Sequence, residues 1–213
     1  MIDGLLREIR ALCARGIEAR AEGSEHLPAI LDAIGRAPAP VEVAAQSKPT
    51  VERQLPGALA LAEQSGDGAL ARALRGSAKY FAWQDMRYDT AATPEMARFI
   101  DNYAYAPVLG PDIYGPMNLI PCDRVFFGFT LQAPGVLYPA HGHRATELYY
   151  VIAGRAEWRR GAEDWVLRPP GSFLLHGPDM AHAMRTLDEP LLAFVAWVSD
   201  LDCASWVGES PPA

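Results

Sequence analysis

The period of the apolar residues changes once along this chain, and that change divides it into two kinds of structure. Up to about residue 106 apolar residues recur three or four apart, the spacing of a helix face. From Arg124 onward they alternate with a period of two. The runs VFFGFTLQA, VLYPAHGH, TELYYVIAG, RAEWRRG, EDWVLRPPG, SFLLHG, AHAMRT and LLAFVAWVS are short and separated by Gly, Pro or Asp. Closely spaced short strands of this kind indicate a sandwich or barrel.

In the first part, Leu5, Leu6, Ile9, Leu12 and Cys13 form one stripe, with Gly16 as a stop. A second helix is expected over 27–34, with Pro28 in its first turn. A third covers 52–64, interrupted by Pro56, a fourth 68–83, and a short one follows Pro94. These stripes are read as faces packed on a larger sheet. The parts expected are a helical region over 1–106, a connector and candidate lid over 107–121, a β-region over 122–201, and a tail over 202–213. The stretch 102–121 that contains the connector is rich in Pro, Gly and Tyr, and long irregular segments of compact domains often carry function.

Composition narrows the function. Half of the 213 residues are hydrophobic, enough for a sizeable core, and the net charge of −7 argues against nucleic acid or an anionic membrane as partner. No run approaches the roughly 20 apolar residues that span a bilayer. Three distant cysteines (Cys13, Cys122 and Cys203) make neither a disulfide framework nor a thiolate metal site. A cytoplasmic protein is expected.

The stretch 135–154, GVLYPAHGHRATELYYVIAG, carries the chemistry. His141 and His143 stand two apart on one strand and so share a face. After a short loop, a second strand puts Glu147, Tyr149 and Val151 on one face, and Leu148, Tyr150 and Ile152 on the other. Imidazoles, a carboxylate and a phenol converging in one space suit a divalent metal better than an apolar core. Of the remaining histidines, His182 begins a later strand, His26 lies in a helical run, and His176 is read as structural for want of a clear partner.

These residues resemble the cupin superfamily. Gly135, five residues, His141-x-His143, three residues, Glu147, six residues and Gly154 match the first cupin motif without insertion. The second motif is matched less closely over residues 171–186. Pro178 to His182 is one residue short, Met180 replaces a Gly, and Thr186 stands in place of an Asn. The resemblance covers about residues 118–200 and implies a cupin β-barrel with the helices packed on it as an N-terminal extension. It assigns His182 as the matching metal ligand.

A narrower resemblance is to the cupin-type dimethylsulfoniopropionate lyases, the DddQ family in particular. It is carried by Tyr138, His141, His143, Glu147, Tyr149 and His182 behind a helical region. That resemblance implies cleavage of dimethylsulfoniopropionate to acrylate and dimethyl sulfide. It implies one divalent metal per chain, zinc by preference, with iron and manganese as the other candidates. His143, Glu147 and His182 become ligands, and His141 a further ligand or close neighbour. Tyr149 becomes the base or a reversible ligand, and Tyr138 lines the substrate site and is the other candidate for the proton. Trp197 and Phe129 are aromatic candidates for holding the sulfonium, beside Trp158, Phe127 and the loop tyrosines Tyr103 and Tyr105. The other readings are a metal cupin of different chemistry, such as a dioxygenase or isomerase acting on a small acid, and a non-catalytic binding cupin. A homodimer is compatible with the resemblance, although no interface is legible.

Overall fold

A computed structural model describes residues 2–88, 94–112 and 117–210. Helices α1 (Ile2–Glu18), α2 (Leu27–Gly35), α3 (Pro49–Gln64) and α4 (Gly68–Ser77) precede a short helix α5 (Pro94–Asp101). α3 runs through Pro56, whose ring lies on the exposed side of the helix. α4 ends at Ser77, and a single 3-10 turn at Ala78–Tyr80 finishes the stretch expected to be one helix.

Eleven strands follow among the described residues: β1 (Tyr103–Gly110), β2 (Ile120–Pro121), β3 (Phe126–Gln132), β4 (Leu137–His143), β5 (Glu147–Ala153), β6 (Ala156–Arg160), β7 (Val166–Arg168), β8 (Phe173–His176), β9 (His182–Thr186), β10 (Leu191–Trp197) and β11 (Ser205–Val207). They form a six-stranded sheet of order β2-β1-β3-β10-β5-β8 and a five-stranded sheet of order β11-β4-β9-β6-β7. This is the mainly β, cupin-type fold expected, with one difference: the strands form two facing sheets of a jelly roll and do not close into a single barrel. The sheet begins earlier than the alternation at Arg124 suggested. β1 lies inside the stretch read as helix end and connector, and it pairs with β3 over residues 103–109. Its alternation is masked because Ala104, Ala106 and Val108 on one face are apolar and Tyr103, Tyr105 and Pro107 on the other are largely so too. Residues 113–116 of the connector lie outside the described residues, as do 89–93. The tail also joins a sheet, since β11 pairs with β4.

Alternation then sorts side chains into two cores. On the outer face of the six-stranded sheet, Phe127, Phe129, Leu131, Leu148, Ile152 and Phe194 pack against α1 to α4. On its inner face, Tyr149, Val151, Ala193 and Val195 meet Trp158 and Met184 of the opposite sheet. Met96 and Phe99 of α5 join this second core and sit against β4. The helical layer is tied to the sheet by a buried polar link as well. Tyr150 Oη donates to Asp67 Oδ2 at 2.6 Å, and Arg15 reaches Asp67 Oδ1 at 3.1 Å. Asp67 is therefore a buried charge with partners, which is the condition under which burial is tolerated.

Candidate active site

The space between the sheets opens into a cavity of about 410 Å³. Glu147, at the start of β5, stands between two cross-strand neighbours: Trp197 of β10 and His176 of β8. Neighbours in register on adjacent strands present their side chains to the same face. Trp197 Nε1 donates to Glu147 Oε1 at 2.8 Å, and His176 Nδ1 lies 3.2 Å from Oε2. From the opposite sheet, His143 Nε2 and His182 Nε2 approach the same Oε2 at 3.4 and 3.2 Å. All four residues of this His/Glu cluster are buried.

The tautomers of the two facing histidines follow from their other nitrogens. His143 Nδ1 is 3.0 Å from the Ala145 carbonyl and His182 Nδ1 is 2.9 Å from the Met180 carbonyl. A carbonyl can only accept, so each Nδ1 carries the proton and each Nε2 presents a lone pair. Both Nε2 atoms are buried without a hydrogen-bond partner. Two lone pairs facing a carboxylate oxygen repel one another unless a positive charge lies between them. The donor set fits a divalent cation: His nitrogen and carboxylate oxygen are its usual ligands, each about 2.0–2.2 Å from the ion. Ligand atoms at that radius stand roughly 3.0–3.4 Å apart at octahedral to tetrahedral angles, which matches the 3.4 and 3.2 Å found here. The ligand atoms of His143, Glu147 and His182 all lie within 4.8 Å of one another.

Without an ion, a proton meets the same demand. Burial disfavours a charged His143, but the Glu147 carboxylate outweighs it and raises that imidazole. Burial likewise opposes charge on Glu147. The charge of a protonated His143 comes first among the effects that, with the hydrogen bond from His176, hold its carboxyl well below the usual range. His176 is pulled down to about 3 by burial, with the neighbouring His182 adding to the effect. It is a neutral ring stacked on His182 with centroids 3.9 Å apart.

His141 falls outside the set within 4.8 Å. It pairs with His182 in register and its ring meets that of His182 edge-on at 4.2 Å, while Nδ1 is held by the Pro139 carbonyl at 2.8 Å. Tyr138 stacks on its other face at 3.7 Å and is itself backed by Phe99 at 3.7 Å. Strict alternation would put Tyr138 and His141 on opposite faces. The register of β4 against β9 shifts between these two residues, and that irregularity brings both inward. Tyr138 Oη shares a hydrogen bond of 2.8 Å with Tyr88. Burial raises Tyr138 and Tyr149 well above the usual phenol value. Burial comes first and the Glu147 charge second in raising Tyr149, whose ring packs on Trp158 at 4.8 Å.

Of the aromatic candidates, Trp197, Tyr138, Tyr103 and Tyr105 line the cavity, and Phe126 joins them. Phe129 does not. It points to the helical side, stacked on Phe81 at 6.0 Å and edge-on to Phe194 at 6.1 Å. The phase of β3 decides this, since Phe126 and Thr130 face inward and the odd positions 127, 129 and 131 face the helices. Phe127 is on the same outer side. His176 is the residue that sequence reasoning passed over. Its partner is 29 positions away in the chain, and only the β5–β8 register brings the two together. Tyr88 was missed as well, because it lies in an irregular stretch with no periodic signal.

A glycine between the two histidines is also required. Trp206 of β11 lies over Gly142, and a Cβ there would come within 2.4 Å of its indole. The C-terminal strand thus roofs the HxH strand through the one position that has no side chain.

Fold and cluster together define a cupin with a candidate metal centre at the base of an aromatic cavity. The sequence profile of the dimethylsulfoniopropionate lyase family matches residues 24–193, and this chain belongs to that family. It is 34% identical over 149 residues to a candidate dimethylsulfoniopropionate lyase, DddL, of Cereibacter sphaeroides, covering 69% of this chain and 58% of that protein. It is 32% identical over 108 residues to the dimethylsulfoniopropionate lyase DddQ of Ruegeria pomeroyi, covering 51% of each. The aligned stretch therefore spans little more than half the length of either curated relative. Among solved structures, one reported with the DMSP lyases RdDddP and RnDddQII superposes with a TM-score of 0.72 at 22% identity, covering 97% of this chain and 96% of that one. The DddQ structure from Ruegeria pomeroyi superposes with a TM-score of 0.66 at 23% identity, covering 97% and 99%. At these identities the superpositions speak for the fold. Among the described residues no helix is long and apolar enough to cross a membrane.

Proposed function

We propose that this chain is a metal-dependent carbon–sulfur lyase that cleaves dimethylsulfoniopropionate to acrylate and dimethyl sulfide by β-elimination, with Tyr149 as the base. The observation that carries the reading is the shared inward face of Glu147 and Tyr149, opposite His143 and His182, at the base of an aromatic-lined cavity. His143, Glu147 and His182 would hold one divalent ion through Nε2, Oε2 and Nε2, with zinc the first choice and iron or manganese the others. Bound there, the ion would act as a Lewis acid toward the substrate carboxylate and favour the phenolate of Tyr149.

The residues divide the remaining work. Tyr149 Oη accepts the proton from the carbon next to the substrate carboxylate. The electron pair of that C–H bond forms the new C=C bond of acrylate, and the C–S pair leaves with sulfur as neutral dimethyl sulfide. The leaving group needs no acid, so a single base suffices. A sulfonium neither donates nor accepts a strong hydrogen bond, and aromatic faces hold it at about 0.5–2 kcal/mol per contact. Tyr138 and Trp197 are suited to that task, with Tyr103, Tyr105 and Phe126 around them. Tyr149 rather than Tyr138 is assigned the proton because Tyr149 stands two residues from Glu147 on the inward face of β5, whereas the Tyr138 hydroxyl is engaged by Tyr88.

The test is to incubate purified protein with dimethylsulfoniopropionate, with and without chelator, and to measure dimethyl sulfide in the headspace. Release that stops on chelation and returns with added metal is the expected result. No release with any of the three metals would remove the reading.

A further inference from the structure

His176 is fully buried in β8, directly opposite Glu147 in the β5–β8 pairing. Its Nδ1 lies 3.2 Å from Glu147 Oε2. A carboxylate only accepts, so this nitrogen is the protonated one. Trp197 supplies the other N–H, to Oε1 at 2.8 Å. Each oxygen of Glu147 is thus gripped by one N–H from a neighbouring strand of its own sheet. The grip leaves Oε2 turned toward the Nε2 atoms of His143 and His182 on the opposite sheet. His176 Nε2, by contrast, is buried without a partner. A ring present only to fill space would leave no such polar atom stranded, and an apolar side chain would serve better. The imidazole is accounted for by its Nδ1–H.

We propose that His176 is a positioning residue: its Nδ1–H holds Glu147 Oε2 at the point where that oxygen meets His143 Nε2 and His182 Nε2. The inference rests on the reading of those three residues as a metal-ligand set. Orientation of a ligating carboxylate by such a hydrogen bond is worth on the order of 10- to 100-fold in metal affinity. Trp197 has the same relation to Oε1, but it also lines the cavity. His176 is outside the cavity lining, so its effect is read on the ion rather than on substrate contact.

The experiment measures cobalt(II) and zinc(II) affinity by competition with a chromophoric chelator. The proteins are the parent, His176→Leu, His176→Asn, His176→Gln and Glu147→Ala. An asparagine amide nitrogen occupies the place of Nδ1, whereas a glutamine amide nitrogen reaches toward the place of Nε2. His176→Leu and His176→Gln are expected to weaken binding by about 10- to 100-fold, and His176→Asn to restore most of it. The cobalt(II) absorption bands of His176→Asn should follow the parent, and those of His176→Gln should shift. Equal affinity in the parent, the leucine and the glutamine variants would overturn the proposal. So would an asparagine variant as weak as the glutamine one, since ring stacking on His182 would then be the cause. If His176→Leu fails to fold, the Asn and Gln pair decides. A different failure is read separately: a Glu147→Ala variant that binds as tightly as the parent would remove the metal reading itself.

Discussion

Tyr149 and Tyr150 are adjacent in sequence and face opposite ways, and replacing each by phenylalanine separates chemistry from architecture. Both substitutions remove one hydroxyl and leave the ring in place. Tyr150 Oη donates to Asp67 Oδ2 at 2.6 Å on the helical side of the sheet. Losing a hydrogen bond to a charged acceptor costs about 1.5–3 kcal/mol. For a chain of this size that lowers the melting temperature by roughly 3–12 °C, while turnover of the folded protein stays at the parent rate. Tyr149 lines the cavity with Glu147 instead, its ring packed on Trp158 at 4.8 Å. Tyr149→Phe keeps the buried ring in place, so the protein still folds. Its kcat, however, falls by about 10²–10⁴-fold, the usual contribution of a positioned base. That corresponds to roughly 2.7–5.4 kcal/mol in the barrier. The assay is headspace dimethyl sulfide at saturating substrate, run beside thermal unfolding of the same preparations. If Tyr149→Phe turned over at the parent rate, or if Tyr150→Phe lost as much kcat as Tyr149→Phe, the assignment of the base from the strand's phase would be wrong.

Four further outcomes are expected. His143→Ala and Glu147→Ala should each lose bound metal after desalting, and full occupancy in both by elemental analysis would contradict the ligand set. Phe129→Ala should destabilise the protein by about 3–5 kcal/mol in denaturant titrations, as for other buried aromatics, while KM stays unchanged; a raised KM with full stability would put Phe129 back in the substrate site. Gly142→Val should push Trp206 and β11 away from β4, seen as a rise in indole exposure to quencher, because even a Cβ at this position would sit 2.4 Å from the indole. Burial drives the Cys13 thiol up to about 12, so at pH 8 it stays protonated and should resist iodoacetamide in the folded protein. Mass mapping should find label first on the half-buried Cys122 and Cys203.

Much of this architecture is written in local pattern. The helical stripes of α1 to α4, the change of period, and the strands from β3 to β10 follow from residue spacing, because burial of one face imposes the repeat of the element. The inward set Glu147, Tyr149 and Val151 and the outward set Leu148, Tyr150 and Ile152 were legible for the same reason. β1 was not, since both of its faces are largely apolar and no alternation survives. β11 was not, since three residues in a tail carry too little pattern.

The sequence by itself determined that His141 and His143 lie on one strand and Glu147 and Tyr149 on one face of the next, and the spacing from Gly135 to Gly154 matched the first cupin motif. Tertiary structure decided which neighbours those groups have. Phe129 went to the helices because the phase of β3 is set by its pairing with β1 and β10. Tyr138 came inward with His141 through an irregularity in the β4–β9 register. His176 was brought to Glu147 across 29 residues by the β5–β8 pairing. Period fixes the face on which a side chain stands within its own strand. Register between distant strands fixes what it touches, and register depends on the packing of the whole sheet.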